Sequence, residues 1–204
     1  MIKLYGTLRS RASRPAWVME ELGLDFQQVK VDFRAGETRS PEFLRLNPNG
    51  HVPVLEDDGF VLWESLAINL YLAEKYGSRL PGFWPETIQG RALANQWSFW
   101  VMTEVEYNLL QVLFHAVLYP PEKKNPERLA KCTAALQTPF GALNSALQPG
   151  PYLLGDAFSV ADLNVASVLG WAKFARIDMG PFPALKKWLE DCLHRPGNKR
   201  SLED

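Results

Sequence analysis

The 204-residue chain contains only two cysteines, Cys132 and Cys192, too few and too far apart for a disulfide framework, so both are read as packing residues inside helices. Charge of either sign is not in excess: 22 Lys and Arg stand against 23 Asp and Glu, for a formal net charge of -1. Without a basic surplus there is nothing to track a phosphate backbone, and nucleic acid is not expected as a partner. No apolar run approaches the roughly 20 residues that cross a bilayer, so no membrane association is expected. The start, Met1-Ile2-Lys3-Leu4-Tyr5, turns polar too early for a signal peptide, which points to a cytoplasmic protein. Cys192 and His194 are two positions apart and would face different sides of a helix, so no metal site is expected. Internal repeats and low-complexity tracts are also lacking.

The first third alternates strand and helix signals. Ile2–Tyr5 reads as a short buried strand ended by Gly6. A polar, basic loop with Ser10 and Ser13 leads to a helix over residues 16–22, with Pro15 near its start and Gly23 past its end. Residues 26–31 read as a second strand, which makes a βαβ unit, and Pro41–Leu46 as one or two helical turns. Asn47-Pro48-Asn49-Gly50 is dense in turn formers. Val52–Leu55 and Phe60–Trp63 flank Asp57-Asp58-Gly59, a strong hairpin signal. Pro53 cannot donate to a ladder, which confines it to a strand start or edge, and a cis Val52-Pro53 bond would be a deliberate feature there. Helical spacing over 66–76 places Ser65 at a helix N-terminus, where backbone amides favour an anion.

After a breaker-rich linker at 78–86 only helices are expected. One long helix spans 87–119, stopped by Pro120-Pro121. Another spans 127–147, with Pro139 either kinking it or sitting in the first turn of a new segment. A third opens at Ser159 and Asp162, whose spacing makes a capping box with a folding role, and a fourth covers 183–193.

Four segments together resemble the glutathione transferase family: Leu4-Tyr5-Gly6 followed by Ser10; Asn47 through Leu55; Trp63-Glu64-Ser65; and Leu154 through Leu163. The resemblance covers nearly the whole chain and is closest to the serine-type classes. It implies an α/β plus all-α architecture, with an N-terminal thioredoxin-like βαβαββα domain over 1–77 and an all-helical domain over 87–204. It also implies a homodimer, with glutathione as cosubstrate and a small hydrophobic electrophile as the second substrate.

The chemistry then asks for a thiolate. A free thiol titrates near about 8.5, so only about 3% is ionised at pH 7. Lowering its pKa by about two units takes about 2.7 kcal/mol of preferential anion stabilisation. One hydrogen bond to a charged group contributes roughly 1.5–3 kcal/mol, so a single hydroxyl near a helix start is enough. By the resemblance, Ser10 is that hydroxyl, with Tyr5 matching the tyrosine-type position and Ser13 read as a helix cap. The family pattern assigns Val52 and Pro53 to the cysteinyl backbone, Glu64 to the γ-glutamyl ammonium and Ser65 to its carboxylate. His51 and Arg39 are assigned to the glycyl carboxylate, and Trp100, Tyr107 and Phe114 to the electrophile pocket. Two other readings stay open: a glutathione-dependent isomerase, dehalogenase or peroxidase, and a non-catalytic partner-binding module.

Overall fold

The computed structural model describes residues 1–203 and divides them into two compact units, residues 1–84 with 195–203, and residues 85–194. In the first unit, β1 (Ile2–Tyr5), α1 (Ser13–Glu21), β2 (Phe26–Val29), α2 (Pro41–Leu46), β3 (Val54–Asp57), β4 (Phe60–Trp63) and α3 (Ser65–Tyr76) follow in order. The sheet order is β2-β1-β3-β4, with β1 and β2 parallel and the other pairs antiparallel. This is the βαβαββα arrangement expected from the sequence.

Local chemistry explains the elements. Asp58 and Gly59 both take positive φ, 51° and 87°, the geometry that matches a tight hairpin to strand twist. Ser40 caps α2 by accepting from the Phe43 amide at 3.2 Å, and Pro41 occupies the first helical turn. Tyr5 joins Val52 and Leu46 against the cluster Val31, Phe43 and Val54. Strand alternation therefore sends Ile2 and Leu4 to the opposite face. Trp17, Met19, Ile68 and Leu72 of α1 and α3 are all but fully buried.

Strand and helix ends differ from the sequence expectation in several places. β2 stops at Val29, and β3 starts at Val54 and continues to Asp57. α1 begins at Ser13, and Ser13 does not cap it: its hydroxyl donates to the Ser10 carbonyl at 3.0 Å. A short helix, α10 (Pro196–Arg200), was not legible, and it clusters with the first unit although the sequence places all of 87–204 in the helical domain. It is held there by charge: Arg195 makes a paired contact to Glu21 at 3.0 and 2.7 Å, and Arg200 binds Glu20. Trp17 Nε1 adds a bond to Glu21 at 2.9 Å.

The second unit holds no strand, only an isolated bridge between Tyr152 and Gly155. Its helices are α4 (Ile88–Trp100), α5 (Tyr107–Leu113), α6 (Pro126–Ala135), α7 (Gln137–Ala146), α8 (Val160–Phe174) and α9 (Pro183–Leu193). The long run expected over 87–119 is continuous but widens into π-helical turns at Val101–Glu106 and Phe114–Leu118. Pro139 lies in the first turn of α7, where its missing N–H costs nothing, so it begins a segment rather than kinking one. α8 is buried on nearly all sides and forms the centre of this unit. Asp162 anchors its start, accepting from Ser159 N at 3.0 Å, Ser159 Oγ at 2.7 Å, Leu153 N at 2.8 Å and Trp188 Nε1 at 2.9 Å. Among the described residues, no helix is long and apolar enough to cross a membrane.

Candidate functional site

Register assembles the site. Tyr5 pairs with Val54, and Val54 with Trp63, so the end of β1, the start of β3 and the end of β4 form one row. The segments just beyond that row are therefore neighbours at one end of the sheet: the Gly6–Ala12 loop, Val52-Pro53, and Glu64-Ser65. Gly6 records how closely they meet. It has φ 133°, and a Cβ there would lie 2.9 Å from Ala12 Cβ, 3.2 Å from Val52 Cβ and 3.6 Å from Ser10 Oγ. Only glycine allows both that backbone angle and that approach. Ala12, Val52 and Ser10 thus all approach within 4 Å of one point.

Ser10 is half-buried. Its hydroxyl donates to the Thr7 carbonyl at 2.7 Å and accepts from the Ala12 amide at 3.1 Å, a local turn of the kind serine favours. Tyr5 points elsewhere: its hydroxyl donates to Glu56 Oε2 at 2.8 Å, and Lys3 binds the other carboxylate oxygen at 2.9 Å. Burial first, and then the Glu56 carboxylate, hold the Tyr5 phenol above its ordinary pKa. Its proton is committed within the sheet.

The Val52-Pro53 bond is cis, and Pro53 is buried directly before β3. Glu64 is exposed, with φ 74° and ψ 111°, a non-glycine residue held in a sparsely populated region at a cost of about 1–3 kcal/mol. Such strain persists only where the surroundings fix it, and here it turns the chain from β4 into α3. No side chain caps α3 at Glu64, whereas Ser40, Thr87 and Asn125 cap α2, α4 and α6. Ser65 is buried, and its Oγ accepts from Arg14 Nη1 at 3.2 Å.

His51 and Arg39 lie on the exposed rim of the turn before β3. Arg39 donates to the Asn49 carbonyl at 3.3 Å, and the His51 carbonyl accepts from Asn47 Nδ2 at 2.8 Å. A Cβ on Gly50 would fall 2.7 Å from Arg39 Nη1, so glycine is needed there both for φ 63° and for the guanidinium lying across it. In the second unit Trp100, Tyr107 and Phe114 follow one another along the long helix, each with its own neighbour. Trp100 meets Trp97 edge-on at 5.0 Å, the Tyr107 hydroxyl accepts from Arg128, and Phe114 stacks on Tyr119 at 5.0 Å. Among the described residues, no group of three or more His, Cys, Asp or Glu could hold a metal ion.

Two residues escaped the sequence reading. Gln28 donates to the Gly6 carbonyl at 3.1 Å and braces the loop. Arg14 is 2% exposed in the first turn of α1. A cation at the positive end of a helix dipole is unfavourable, and that mismatch was the signal available for it.

The family models for the glutathione S-transferase N-terminal and C-terminal domains match residues 1–74 and 106–196. The chain belongs to the glutathione S-transferase family. Glutathione S-transferase D7 of Drosophila melanogaster is 32% identical over 99% of this chain and 89% of its own length. Glutathione S-transferase GstB of Escherichia coli (strain K12) is 29% identical over 98% of this chain and 97% of its own. A solved structure of glutathione S-transferase-I bound with lactoylglutathione has a TM-score of 0.87 at 28% identity, covering 98% of both chains. The family is one of enzymes that use glutathione as cosubstrate, and its fold is a thioredoxin-like domain followed by a helical one.

Proposed function

We propose that this family member conjugates glutathione to a small hydrophobic electrophile by a serine-type mechanism, with Ser10 stabilising the thiolate. The observation that carries the reading is the convergence of Ser10 and Val52 on Gly6, at the sheet end where α3 also begins. Strands lie about 4.8 Å apart, so the row from β1 through β3 to β4 spans about 10 Å, close to the length of three extended residues. An extended tripeptide of that length pairs its central cysteine with Val52, which shares with Ser10 the close approach to Gly6. Its γ-glutamyl end then reaches the start of α3.

The roles follow. The Val52 backbone before Pro53 exchanges hydrogen bonds with the cysteinyl residue as an added strand would. Glu64, exposed and turned out by its positive φ, receives the ammonium. Ser65 and the open amides of α3 receive the γ-glutamyl carboxylate. Arg39 and His51 on the rim face the glycyl carboxylate. The Ser10 hydrogen, donated to Thr7 in the free protein, turns to the sulphur on binding; this exchange costs about 1 kcal/mol and returns roughly 1.5–3 kcal/mol once the sulphur is charged. Trp100, Tyr107 and Phe114 supply the apolar surface for the electrophile.

The protein acts as a cytoplasmic homodimer without nucleic-acid or membrane partners. Support for a second copy comes from β4, whose Phe60, Val61 and Trp63 are 50%, 36% and 38% exposed, an apolar strand that water does not favour. The test is turnover of a chlorinated nitroaromatic with glutathione by wild type, Ser10→Ala and Tyr5→Phe. Loss in the serine variant with activity retained in the tyrosine variant is expected; the reverse result refutes the assignment.

A further inference from the structure

Register pairs Leu4 with Gln28 and Tyr5 with Val29, and both strands end there. Gly6 comes next, beyond the paired residues, yet β2 holds both its amide and its carbonyl. The amide donates to the Val29 carbonyl at 2.9 Å, and the carbonyl accepts from Gln28 Nε2 at 3.1 Å. Leu4 and Gln28 share a level, and a strand rises about 3.3 Å per residue, so the glutamine reaches about 6.6 Å along the sheet to make that bond.

The place it braces is a soft one. Gly6, at φ 133°, has no side chain to restrict its backbone. Ala12, Val52 and Ser10 all come within 4 Å of the position its Cβ would take. Val52 is fixed independently, because Val54, two residues on, pairs with both Tyr5 and Trp63. Ser10 rides on the Gly6–Ala12 loop itself, tied to the Thr7 carbonyl by its amide at 3.0 Å and its hydroxyl at 2.7 Å. A rotation at Gly6 therefore moves Ser10 and leaves Val52 in place.

We infer that Gln28 is a positioning residue for the thiolate partner, holding the Gly6 peptide so that the Ser10 hydroxyl keeps its place relative to Val52. This rests on the proposed role of Ser10 and adds to it a residue on a different strand. A hydrogen-bonding group in an active site works only when held within about 0.5 Å of its productive position, so the loss of one brace is readable in the chemistry.

The test is Gln28→Met, which keeps the length of the side chain and removes the donor. It is read by ultraviolet titration of bound glutathione, by kcat, and by affinity for S-methylglutathione, which has no thiol to ionise. The bound thiol is expected to titrate about 0.7–1 pH unit higher than in wild type, and kcat at a pH below the wild-type titration to fall by the same factor, about fivefold to tenfold. Affinity for S-methylglutathione should change by less than about twofold. In the Ser10→Ala background the substitution should add less than about twofold to the loss of turnover. Should Gln28→Met fail to fold, Gln28→Glu, which keeps the shape and cannot donate once ionised, carries the same comparison. A bound thiol and kcat that do not move, an equal loss for S-methylglutathione, or losses that add to those of Ser10→Ala would overturn the inference and leave the role of Ser10 intact. A Ser10→Ala variant that titrates and turns over like wild type would instead remove that role and this inference with it.

Discussion

The starts of α3 and α8 are built from similar residues and finished in opposite ways. At α8, Asp162 turns back on Ser159, takes its amide and its hydroxyl, and also gathers Leu153 and Trp188. At α3, Glu64 is strained outward at φ 74°, no side-chain cap is made there, and Ser65 faces an arginine. One start is closed by its own chain, the other is left without a side-chain cap. Closure serves folding, and under the proposed function openness serves a ligand, because a donor already satisfied has little to gain from an incoming anion.

The largest expected effect tests the closed end. Asp162→Ala orphans buried donors, including an indole and two amides, and should destabilise the protein by about 3–5 kcal/mol in chemical unfolding. An effect below about 1 kcal/mol would mean the hub is replaceable by water. Next comes the hydroxyl proposed to hold the thiolate: Ser10→Ala should lower kcat/KM by about 10- to 100-fold with glutathione affinity almost unchanged. Ser65→Ala should do the converse, weakening glutathione by about tenfold and leaving the unfolding midpoint near wild type. Those two results together would separate thiol chemistry from tripeptide anchoring.

The smallest expected effect concerns pH. Asp57, in the first unit, is desolvated, which by itself raises its pKa; bonds from Lys75 at 2.6 Å and from Tyr71 and Tyr76 at 2.9 Å outweigh this and hold it below the usual value. Its contribution is complete above the unfolded pKa of about 3.9 and is lost as pH falls through the lower folded value. Asp162 is met by four neutral donors, and burial pushes its pKa up. Its sign is reversed: its contribution is complete below about pH 3.9 and is lost as pH rises through the folded value. Asp57→Asn should therefore flatten the acid limb of the stability profile by about 1 kcal/mol, the exposed Lys75 ammonium limiting the effect. An unchanged limb would show the Asp57 cluster to be electrostatically idle.

The hairpin at Asp58-Gly59 and the capping box at Ser159 were legible because each is written within a few residues, whereas the local sequence left the isomer of the Val52-Pro53 bond open. The site's convergence was legible only through family resemblance, since the meeting of Ser10 with Val52 depends on strand register. Arg14 and α10 were not seen: their partners, Ser65 and Glu21, lie 51 and 174 positions away, beyond any local pattern. The cap expected of Ser13 failed because the turn from Thr7 onward carries its own hydrogen bonds and α1 begins without a side-chain cap. The π-helical turns near Trp100 and Phe114 have no signature in propensity or periodicity.

The most direct measurement is an ultraviolet titration of the glutathione thiol in its complex with wild type and with Ser10→Ala. The account predicts that the bound sulphur ionises about two pH units below the free thiol in wild type, and that this advance disappears with the hydroxyl. A bound thiol titrating as in buffer, or an advance that survives the substitution, would contradict it.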